Sequence, residues 1–357
     1  MDSVAFRECL HHWFSLHRRS FPWRDEKSPY RVWISEVMLQ QTRAAVVVPY
    51  FQRWMQLFPN VESLAAASKE KVIKAWEGLG YYTRARNLHC AAKEIVERFH
   101  GEIPSSANLL AQLPGLGLYT TGAILSFGFH QRAFAIDGNV MRLLARYFGI
   151  EVPVHSSRMR FLLEEKLSLL LDTETPWITS EALIELGALV CQKRALCHVC
   201  PLRLSCQARA SDMTERLPVV KKKEPVTLLK RWVIVLESQG NLLVQKGKEG
   251  RIMADLYQFP YFTQEDLDFR SQETLIAALE NAIQKQFHCK AQWVRNLPET
   301  AHSFTRFRAQ LYPFSFVVRE AVPVEDGSWI PKNQCALLPF SAGHRTILSN
   351  LDIIYPE

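Results

Sequence analysis

The chain has 357 residues, with 48% hydrophobic and 22% charged residues and only 15 glycines and 18 prolines, a composition that excludes collagen-like, low-complexity and largely disordered proteins. Its formal net charge of +7 favours a polyanionic partner such as a nucleic acid without establishing one. No apolar run is long enough for a membrane span or a signal peptide, so a cytoplasmic protein without a membrane partner is expected.

Apolar residues recur at helical spacing through most of residues 1–214, and prolines lie between these stretches or at their beginnings. Alternation of the strand type is nearly absent in this region. The predicted helical stretches are 33–58, 71–99, 119–129, 138–149, 159–171 and 180–191. Residues 1–214 are therefore predicted to form a mainly α-helical region.

The pattern changes after Cys206. A basic run flanked by prolines predicts an exposed linker at residues 215–226. Beyond it, two β-rich segments separated by Gln239-Gly240 predict a hairpin. The predicted elements are strands at 232–238, 241–247 and 309–318 and a helix at 272–287. Residues 227–357 are therefore predicted to form an α+β domain.

Four of the eight cysteines lie close together in the sequence. They are Cys191, Cys197, Cys200 and Cys206. Because disulfides are not expected in a reducing compartment, four thiols near one point favour a metal ion or an iron–sulfur cluster over packing. Zinc and a [4Fe–4S] cluster both accept four thiolates, so the spacing leaves both open.

The segment LPGLGLYTTG (113–122) predicts a tight turn directly before a helix. Gly115 and Gly117 permit unusual backbone dihedrals and carry no Cβ. Phosphate oxygens can therefore approach the backbone amides of such a turn at a helix N-terminus. The alternative is a turn without a ligand, since Pro-Gly turns before helices are common.

Two carboxylates are candidates for acid–base chemistry. Asp137 comes directly before a predicted helix, so it is either a helix cap or a cap that also faces a cleft. Glu36 lies among apolar residues in WISEVMLQQT (33–42). Apolar surroundings raise the pKa of a carboxyl group, as a general acid near neutral pH requires. The alternative is a solvent-facing glutamate on an amphipathic helix.

Together these segments resemble the helix-hairpin-helix DNA glycosylase superfamily and, within it, the MutY family of adenine DNA glycosylases. The hairpin, Asp137 and the four cysteines follow in the family's order, and GLGYYTRARN (78–87) is a further match. The resemblance covers essentially the whole chain. It implies a mainly α catalytic region at 1–214, with a four-cysteine cluster loop at 191–206. It also implies an α+β, nudix-like lesion-recognition domain at 227–357.

The resemblance implies that the chain removes adenine mispaired with 8-oxoguanine or guanine in double-stranded DNA. The N-glycosidic bond of an extruded nucleotide is hydrolysed, which calls for one protonated and one ionised carboxyl group. By resemblance Glu36 is the acid, and Asp137 is the anion that stabilises or transiently bonds C1′. Tyr119 and Asn139 match residues that orient these groups. A monomer is expected.

Position 119 bears on the type of glycosylase. Superfamily members with strand-cleaving lyase activity carry a lysine at the matching place, whereas this chain has Tyr119. Without that amine the obvious route to a Schiff base is missing, so a monofunctional glycosylase is predicted. The alternatives are a pyrimidine-lesion glycosylase with lyase activity and a DNA-binding protein that is not an enzyme.

The resemblance also assigns residues that contact the DNA. Gln41 and Tyr81 match residues that enter the duplex where the adenine leaves and beside its partner, although on spacing alone both are ordinary helix or turn residues. The residues that match the adenine pocket are Arg19, Trp23, Arg24, Leu39 and Glu181. On its pattern alone, Trp23 is equally a core residue.

Two departures from the family pattern stand out. The first gap of the cluster loop has five residues, 192–196, where the family commonly has six. All four cysteines remain, so a [4Fe–4S] cluster is expected. The loop stays basic through Lys193, Arg194 and Arg203, which suits either a phosphate contact or a solvated surface.

The second departure concerns the turn with which the family reads 8-oxoguanine. A Phe-Ser-His turn is replaced here by Phe304, Thr305 and Arg306. Thr305 keeps a hydroxyl group, while Arg306 replaces an imidazole with a permanent cation. Weaker discrimination between 8-oxoguanine and guanine, with tighter phosphate binding, is therefore hypothesised. The helix at 272–287 lacks the acidic array of nudix hydrolases, so nucleotide hydrolysis is not expected.

Overall fold

The computed structural model describes residues 2–154, 156–220, 225–248, 253–269, 271–304 and 306–351. The chain divides into two compact units. The first comprises Met1–Ala66 and Asn87–Lys223, and the second comprises Ala67–Arg86 and Glu224–Glu357. The prediction placed all of residues 1–214 in one region, whereas the structure groups Ala67–Arg86 with the C-terminal part. No helix in the described ranges is long and apolar enough to cross a membrane.

Residues 2–154 and 156–220 form helices joined by loops. They are α1 (Ser3–His17), α2 (Pro22–Asp25), α3 (Pro29–Leu39), α4 (Ala44–Leu57), α5 (Val61–Ala66), α6 (Lys69–Ala75), α7 (Thr83–Phe99), α8 (Ala107–Leu110), α9 (Leu118–Ala123), α10 (Gly138–Tyr147), α11 (Ser157–Leu170), α12 (Pro176–Leu189) and α13 (Gln207–Ala210). A π-helical turn, Ile124–Gly128, continues α9, and a 3₁₀ turn spans Cys197–Val199. The predicted mainly α-helical character is confirmed.

Two predicted helical stretches are each interrupted. The stretch 33–58 breaks between α3 and α4, where Gln41 has a φ of 61°. The stretch 71–99 breaks between α6 and α7, where Gly78, Gly80 and Tyr81 all have positive φ. A residue with left-handed backbone dihedrals cannot continue a right-handed helix. The apolar residues on either side of each break keep helical spacing, so the sequence predicted one continuous helix where the structure has two.

The core of the first unit lies among α1, α10, α11 and α12. Leu10, Leu144, Leu163 and Leu183 are fully or almost fully buried there. Each such side chain contributes roughly 1.5–3 kcal/mol by leaving water. This packing fixes α10, whose first turn carries part of the candidate site.

The beginning of the predicted linker is packed rather than exposed. Leu217 is buried, and its carbonyl oxygen accepts a hydrogen bond from Arg146 Nε at 2.8 Å. The backbone N–H of Val154 donates to Val219 O. Residues 217 and 219 therefore contact the helical region, whereas the basic, proline-flanked sequence predicted an exposed linker. Residues 221–224 of the predicted linker lie outside the described residues.

The C-terminal part of the second unit is a mixed sheet with helices. Its strands are β1 (Thr227–Ser238), β2 (Asn241–Lys246), β3 (Tyr257–Gln258), β4 (Tyr261–Phe262), β5 (Ala291–Asn296), β6 (Thr300–Phe304), β7 (Phe307–Val318) and β8 (Ser328–Pro331), and its helices are α14 (Gln272–Phe287), α15 (Lys332–Cys335) and α16 (Ala342–Asn350). The central order is β3-β2-β1-β7-β5, with β4 on β1, β6 on β7 and β8 on β2. The predicted α+β character is confirmed.

The two long strands, β1 and β7, lie next to each other at the centre of the sheet. β1 and β7 pair in parallel from Thr227 and Phe307 to Glu237 and Val317, and β1 turns into β2 through the predicted hairpin. Residues of β1 alternate between two cores, one with α14 and one with α16, as the period of a strand requires. β6 and β7 pair antiparallel, from Thr300 and Leu311 to Phe304 and Phe307.

Candidate active site

Glu36 lies on α3, a helix that begins with the Ser28 cap and Pro29 and is buried along most of its length. Its side chain is buried, and Glu36 Oε2 accepts a hydrogen bond from Tyr119 Oη at 2.5 Å. Burial raises the pKa of Glu36 to about 7, against the opposing effects of the Tyr119 hydrogen bond and the charge of Arg24. The raised pKa is the one that the sequence predicts, and the solvent-facing alternative is wrong.

Tyr119 comes from the first turn of α9, directly after the glycine turn. Burial and the charge of Glu36 raise the pKa of Tyr119 well above its ordinary value, so the phenol stays protonated and donates. Gly115 has a φ of +78°, and a Cβ there would lie 2.6 Å from Asn87 Cβ, so glycine is required. Gly117 caps α9 with an ordinary φ of −75° and open space beside it.

Asp137 is the N-cap of α10. Its Oδ1 accepts hydrogen bonds from the backbone N–H groups of Asn139 at 2.9 Å and Val140 at 2.7 Å, and its Oδ2 accepts one from Asn139 Nδ2 at 2.7 Å. Burial raises the pKa of Asp137, while these donors and the charge of Arg142 act in the opposite direction. The charge of Asp137 in turn raises the pKa of Glu36. Asp137 therefore both caps the helix and acts electrostatically on the buried acid.

Arg142 extends this arrangement, and the sequence analysis did not identify it. Its Nη2 donates to Asn139 Oδ1 at 2.8 Å and to Gly187 O at 2.8 Å, and its Nε donates to Cys191 O at 2.7 Å. Asp137, Asn139 and Arg142 thus form a continuous hydrogen-bonded chain that ends at the main chain of the first cysteine of the loop.

The predicted pocket residues Arg19, Arg24 and Glu181 are held by ion pairs. Glu185 Oε1 accepts from Arg19 Nε at 2.5 Å, and Glu185 Oε2 accepts from Arg24 Nη2 at 2.9 Å. The side chain of Glu185 is only 1% exposed, and the two arginines lower its pKa despite its burial. Lys27 Nζ lies 2.6 Å from Glu181 Oε1.

Glu185 and Lys27 were both missed. The available signal for Glu185 was its position four residues after Glu181 on an otherwise apolar helix, which places both carboxylates on one face. Lys27 had no such signal, because its partner lies 154 residues away in the sequence.

The two remaining pocket candidates are apolar. Trp23 is buried, stacks on Phe21 with ring centroids 4.7 Å apart and meets the ring of Phe51 edge-on. Its core interpretation therefore holds, and contact with a base stays a prediction. Leu39 is the half-buried last residue of α3.

Gln41 and Tyr81, the candidates for entering the duplex, share two features. Both side chains are exposed, Tyr81 to 48%. Both backbones have positive φ, 61° and 48°, although neither residue is glycine. Non-glycine residues in this region are uncommon and cluster at functional sites.

The four cysteines line one cavity. Its wall also includes Leu143, Val190 and Leu202, and the basic Arg146, Arg203 and Arg209. Arg146 is buried and donates to the carbonyl oxygens of Gln192 at 2.5 Å and Lys193 at 2.8 Å.

Four sulfur donors with basic neighbours suit an anionic iron–sulfur cluster. Within the described ranges, no three His, Cys, Asp or Glu side chains stand in the arrangement of a metal site. Cluster binding therefore stays a prediction. So does the phosphate contact of Lys193, Arg194 and Arg203, whose side chains are exposed.

The turn predicted to read the lesion joins β6 to β7. Phe304 is half-buried, with its ring centroid 5.3 Å from that of His302 and 5.7 Å from that of Phe307. Arg306 is exposed, and its guanidinium lies 5.3 Å from the Phe307 ring centroid. Thr305 lies outside the described residues.

Two family models match the chain. The model of the HhH-GPD superfamily of base excision DNA repair proteins matches residues 34–168, and the NUDIX domain model matches residues 231–350. The adenine DNA glycosylase of Buchnera aphidicola subsp. Baizongia pistaciae (strain Bp) is 31% identical over 355 residues, covering 99% of this chain and 93% of that protein. The adenine DNA glycosylase of Homo sapiens is 33% identical, covering 90% and 69%.

Solved structures give the same architecture for the helical region. A thermostable thymine-DNA glycosylase superposes with a TM-score of 0.54 at 24% identity, covering 58% of this chain and 97% of that one. Endonuclease III in a non-covalent complex with DNA gives 0.50 at 22% identity, covering 60% and 99%. At these identities the likeness establishes the fold alone. The predicted combination of a helix-hairpin-helix glycosylase fold with a nudix-like domain is confirmed.

Proposed function

The chain belongs to the adenine DNA glycosylase family of base excision repair enzymes, and on that premise we propose that it hydrolyses adenine from mispairs with 8-oxoguanine or guanine in double-stranded DNA. The observation that carries the proposal is the buried Glu36 beside Asp137. A carboxyl group with a pKa of about 7 is available as an acid at neutral pH. Asp137, with three hydrogen-bond donors, is the better placed of the two to stay ionised.

In the proposed reaction Glu36 donates its proton to N7 of the extruded adenine. The C1′–N9 bond then breaks with its electron pair going to the base, and the Asp137 carboxylate stabilises or transiently bonds the resulting cationic C1′. Water attacks C1′ and returns a proton to Glu36. The phenol of Tyr119 holds the Glu36 carboxyl group in place, and Asn139 holds Asp137.

The proposed enzyme is monofunctional. Tyr119 occupies the position beside Glu36 at which a lyase of this superfamily carries a lysine, and a phenol cannot form a Schiff base with C1′. Lys27, which lies beside the predicted pocket residue Glu181, is paired with that carboxylate at 2.6 Å. The abasic strand is therefore expected to stay intact until alkali cleaves it.

Binding of the substrate uses the residues that the family resemblance assigns to DNA contacts. Gln41 and Tyr81 fill the space that the extruded adenine leaves, which offsets the few kcal/mol that extrusion costs. Arg19, Trp23, Arg24, Leu39 and Glu181 line the adenine pocket in this proposal. The backbone amides at Gly115 and Gly117 contact a DNA phosphate. Phe304, Thr305 and Arg306 contact the purine opposite.

The proposal includes a [4Fe–4S] cluster held by Cys191, Cys197, Cys200 and Cys206. The four thiolates would hold the cluster, which would crosslink the loop, and Arg146 fixes the main chain in the shortened first gap. Iron and acid-labile sulfide in the purified protein, with a broad absorption band that reduction or acid removes, support the cluster. Stoichiometric zinc instead would contradict it.

The test is single-turnover base release from duplexes with adenine opposite 8-oxoguanine, guanine or thymine. Wild type is expected to release adenine from the two mispairs only, with strand scission after alkali and no borohydride-trapped adduct. Glu36→Gln removes the proton donor and is expected to lower the rate constant at least about a thousandfold.

Glu26→Gln is the matched control, since Glu26 is 81% exposed, and it is expected to keep the wild-type rate. Trapping by borohydride would favour the lyase alternative. Tight binding of the mispair without any release by wild type would favour a DNA-binding protein.

A further inference from the structure

The segment 67–86 is part of the helical region in sequence but of the C-terminal unit in structure. It consists of α6, the loop that presents Tyr81 and the start of α7. No part of the reaction proposed above uses this grouping. The segment forms several hydrogen bonds and ion pairs with residues 254–345.

Glu77 is the central contact. Its Oε1 accepts hydrogen bonds from the backbone N–H of Phe340 at 3.0 Å and from Arg345 Nε at 2.8 Å, and its Oε2 accepts one from Lys74 Nζ at 2.7 Å. Lys74 Nζ also donates to the carbonyl oxygens of Ala336 and Leu338. The Glu77 side chain is only 17% exposed. A carboxylate with three donors and little solvent holds its partners more firmly than a surface ion pair does.

The loop that follows Glu77 is itself tightly held. Trp76 Nε1 donates to Gly80 O at 3.0 Å, and Arg84 Nη2 donates to the carbonyl oxygens of Leu79 and Gly80, each at 3.0 Å. The backbone at Tyr81 has positive φ. The exposed Tyr81 ring is therefore carried on a fixed loop whose base is Glu77.

A second group of contacts ties both ends of the segment to one residue. Asp255 Oδ1 lies 2.9 Å from Lys69 Nζ at the beginning of α6, and Asp255 Oδ2 lies 3.4 Å from Arg86 Nη1 in the first turn of α7. Arg86 also donates to Ala254 O at 3.1 Å. The segment is thus joined to the C-terminal domain before and after the Tyr81 loop.

The helix that carries Arg345, α16, also packs against the strand that ends at Phe304. α16 packs against β6, so closely that a Cβ added to Gly343 would overlap with His302 Nδ1. β6 ends at Phe304, the first residue of the turn predicted to read the lesion. One helix therefore contacts both the base of the Tyr81 loop and the strand that leads into the turn.

We propose that the ion pair of Glu77 and Arg345 positions Tyr81 relative to Phe304 at the end of β6, so that both residues act as one preassembled reader of the purine opposite the adenine. Glu77 and Arg345 are positioning residues that touch no DNA in this scheme. The inference rests on the proposed function, because it takes Tyr81 to stand beside that purine. Its consequence is that breaking the ion pair reduces discrimination between 8-oxoguanine and guanine through Tyr81.

The experiment compares rate constants for base release from 8-oxoguanine:A and G:A duplexes. Glu77→Gln and Arg345→Met break the pair from opposite sides, and each is expected to lower the ratio of the two rate constants by about tenfold, a typical coupling for residues in one network. Tyr81→Ala is expected to lower it at least as much. The double variant Glu77→Gln/Tyr81→Ala is expected to match Tyr81→Ala alone.

Glu70→Gln is the matched control. Glu70 is also on α6 and pairs with Lys246 of the same unit, but it is 61% exposed, so the ratio is expected to stay at the wild-type value. Losses that multiply in the double variant would overturn the inference, as would an unchanged ratio in both Glu77→Gln and Arg345→Met while Tyr81→Ala loses it. Absence of adenine release by wild type would instead overturn the proposed function and the inference together.

Discussion

Two regions of the protein differ in burial and in hydrogen bonding to their own side chains. They are the acid pair of Glu36 and Asp137, and the turn at 304–306. Glu36 is buried with a donor on its carboxylate, and Asp137 has three donors. In the turn, Phe304 is half-buried and Arg306 is exposed. The hydrogen-bond donors of the first site are therefore in place before DNA binds, whereas the second site has an exposed cation at Arg306.

This difference follows from the tasks proposed for the two regions. A general acid needs a shifted pKa, and only burial and fixed neighbours supply one. A surface that reads a base pair has to be open, because its partner completes it. Substitutions in the first region are therefore expected to change the rate constant of base release, and substitutions in the second the preference between mispairs.

The largest expected effect is that of Asp137→Asn, which separates the two roles of Asp137. Asparagine caps helices about as well as aspartate, so the melting temperature is expected to fall by only about 2–4 °C. Loss of the charge is expected to lower the rate constant of base release about a hundredfold to a thousandfold. Single-turnover kinetics and thermal unfolding of the same preparation measure both. A rate near that of wild type would mean that Asp137 is a cap only.

A smaller effect is expected on the pH dependence. Because base release requires protonated Glu36, the rate is expected to be constant below and to fall above pH values near the Glu36 pKa of about 7. The hydrogen bond from Tyr119 favours the carboxylate and so lowers that pKa. Tyr119→Phe removes it, and the falling limb is expected to move to higher pH, by roughly one pH unit or less.

The profile is measured at subsaturating enzyme, so that it reports the free protein. Tyr50→Phe on α4 is the control and is expected to leave the limb in place. A limb that moves to lower pH in Tyr119→Phe would contradict the assignment of the Tyr119 hydrogen bond to the ionised form of Glu36.

The sequence predicted the two carboxylates of the acid pair but not the distant residues that form hydrogen bonds and ion pairs around the site. Glu36 and Tyr119 were identified from local motifs, and the structure brings them to 2.5 Å although they are 83 positions apart. Arg142 and Glu185 were missed because each also contacts a residue far away in the chain: Arg142 contacts Cys191 in addition to the nearby Asn139, and Glu185 contacts Arg19. The spacing of apolar residues indicates which face of a helix is buried. It does not indicate which residue from a distant part of the chain contacts that face.

The predicted helices failed at informative places. Both breaks in the predicted stretches coincide with the candidates for entering the duplex, Gln41 and Tyr81. Glycines at 78 and 80 were available as a signal for the second break, but no glycine or proline marks the first. Backbone strain at a non-glycine residue has no compositional signature, since the surrounding packing imposes it. The grouping of Ala67–Arg86 with the C-terminal unit likewise has no local signature, since its ion pairs with Asp255 and Arg345 join residues that are far apart in the sequence.

The smallest expected effect concerns Arg306 and tests the exposed side of the comparison. Arg306→His restores the imidazole of the family pattern and removes a permanent cation. The ratio of base-release rate constants for 8-oxoguanine:A over G:A is expected to rise a few-fold, roughly threefold to tenfold, since one polar contact changes. Binding is expected to weaken, with the slope of log K against log salt concentration smaller by about one.

Arg308→His is the matched control, because Arg308 is an exposed arginine two residues later in the chain, on β7. If both variants reduce the salt slope but only Arg306→His raises the ratio, Arg306 limits lesion discrimination in this chain and does so through its place in the turn. Equal ratios in wild type and Arg306→His would remove that assignment. Discrimination between 8-oxoguanine and guanine would then depend on Phe304, Thr305 and the positioning of Tyr81. The buried acid pair and residues 304–306 would then differ in solvent exposure, without a demonstrated role for Arg306.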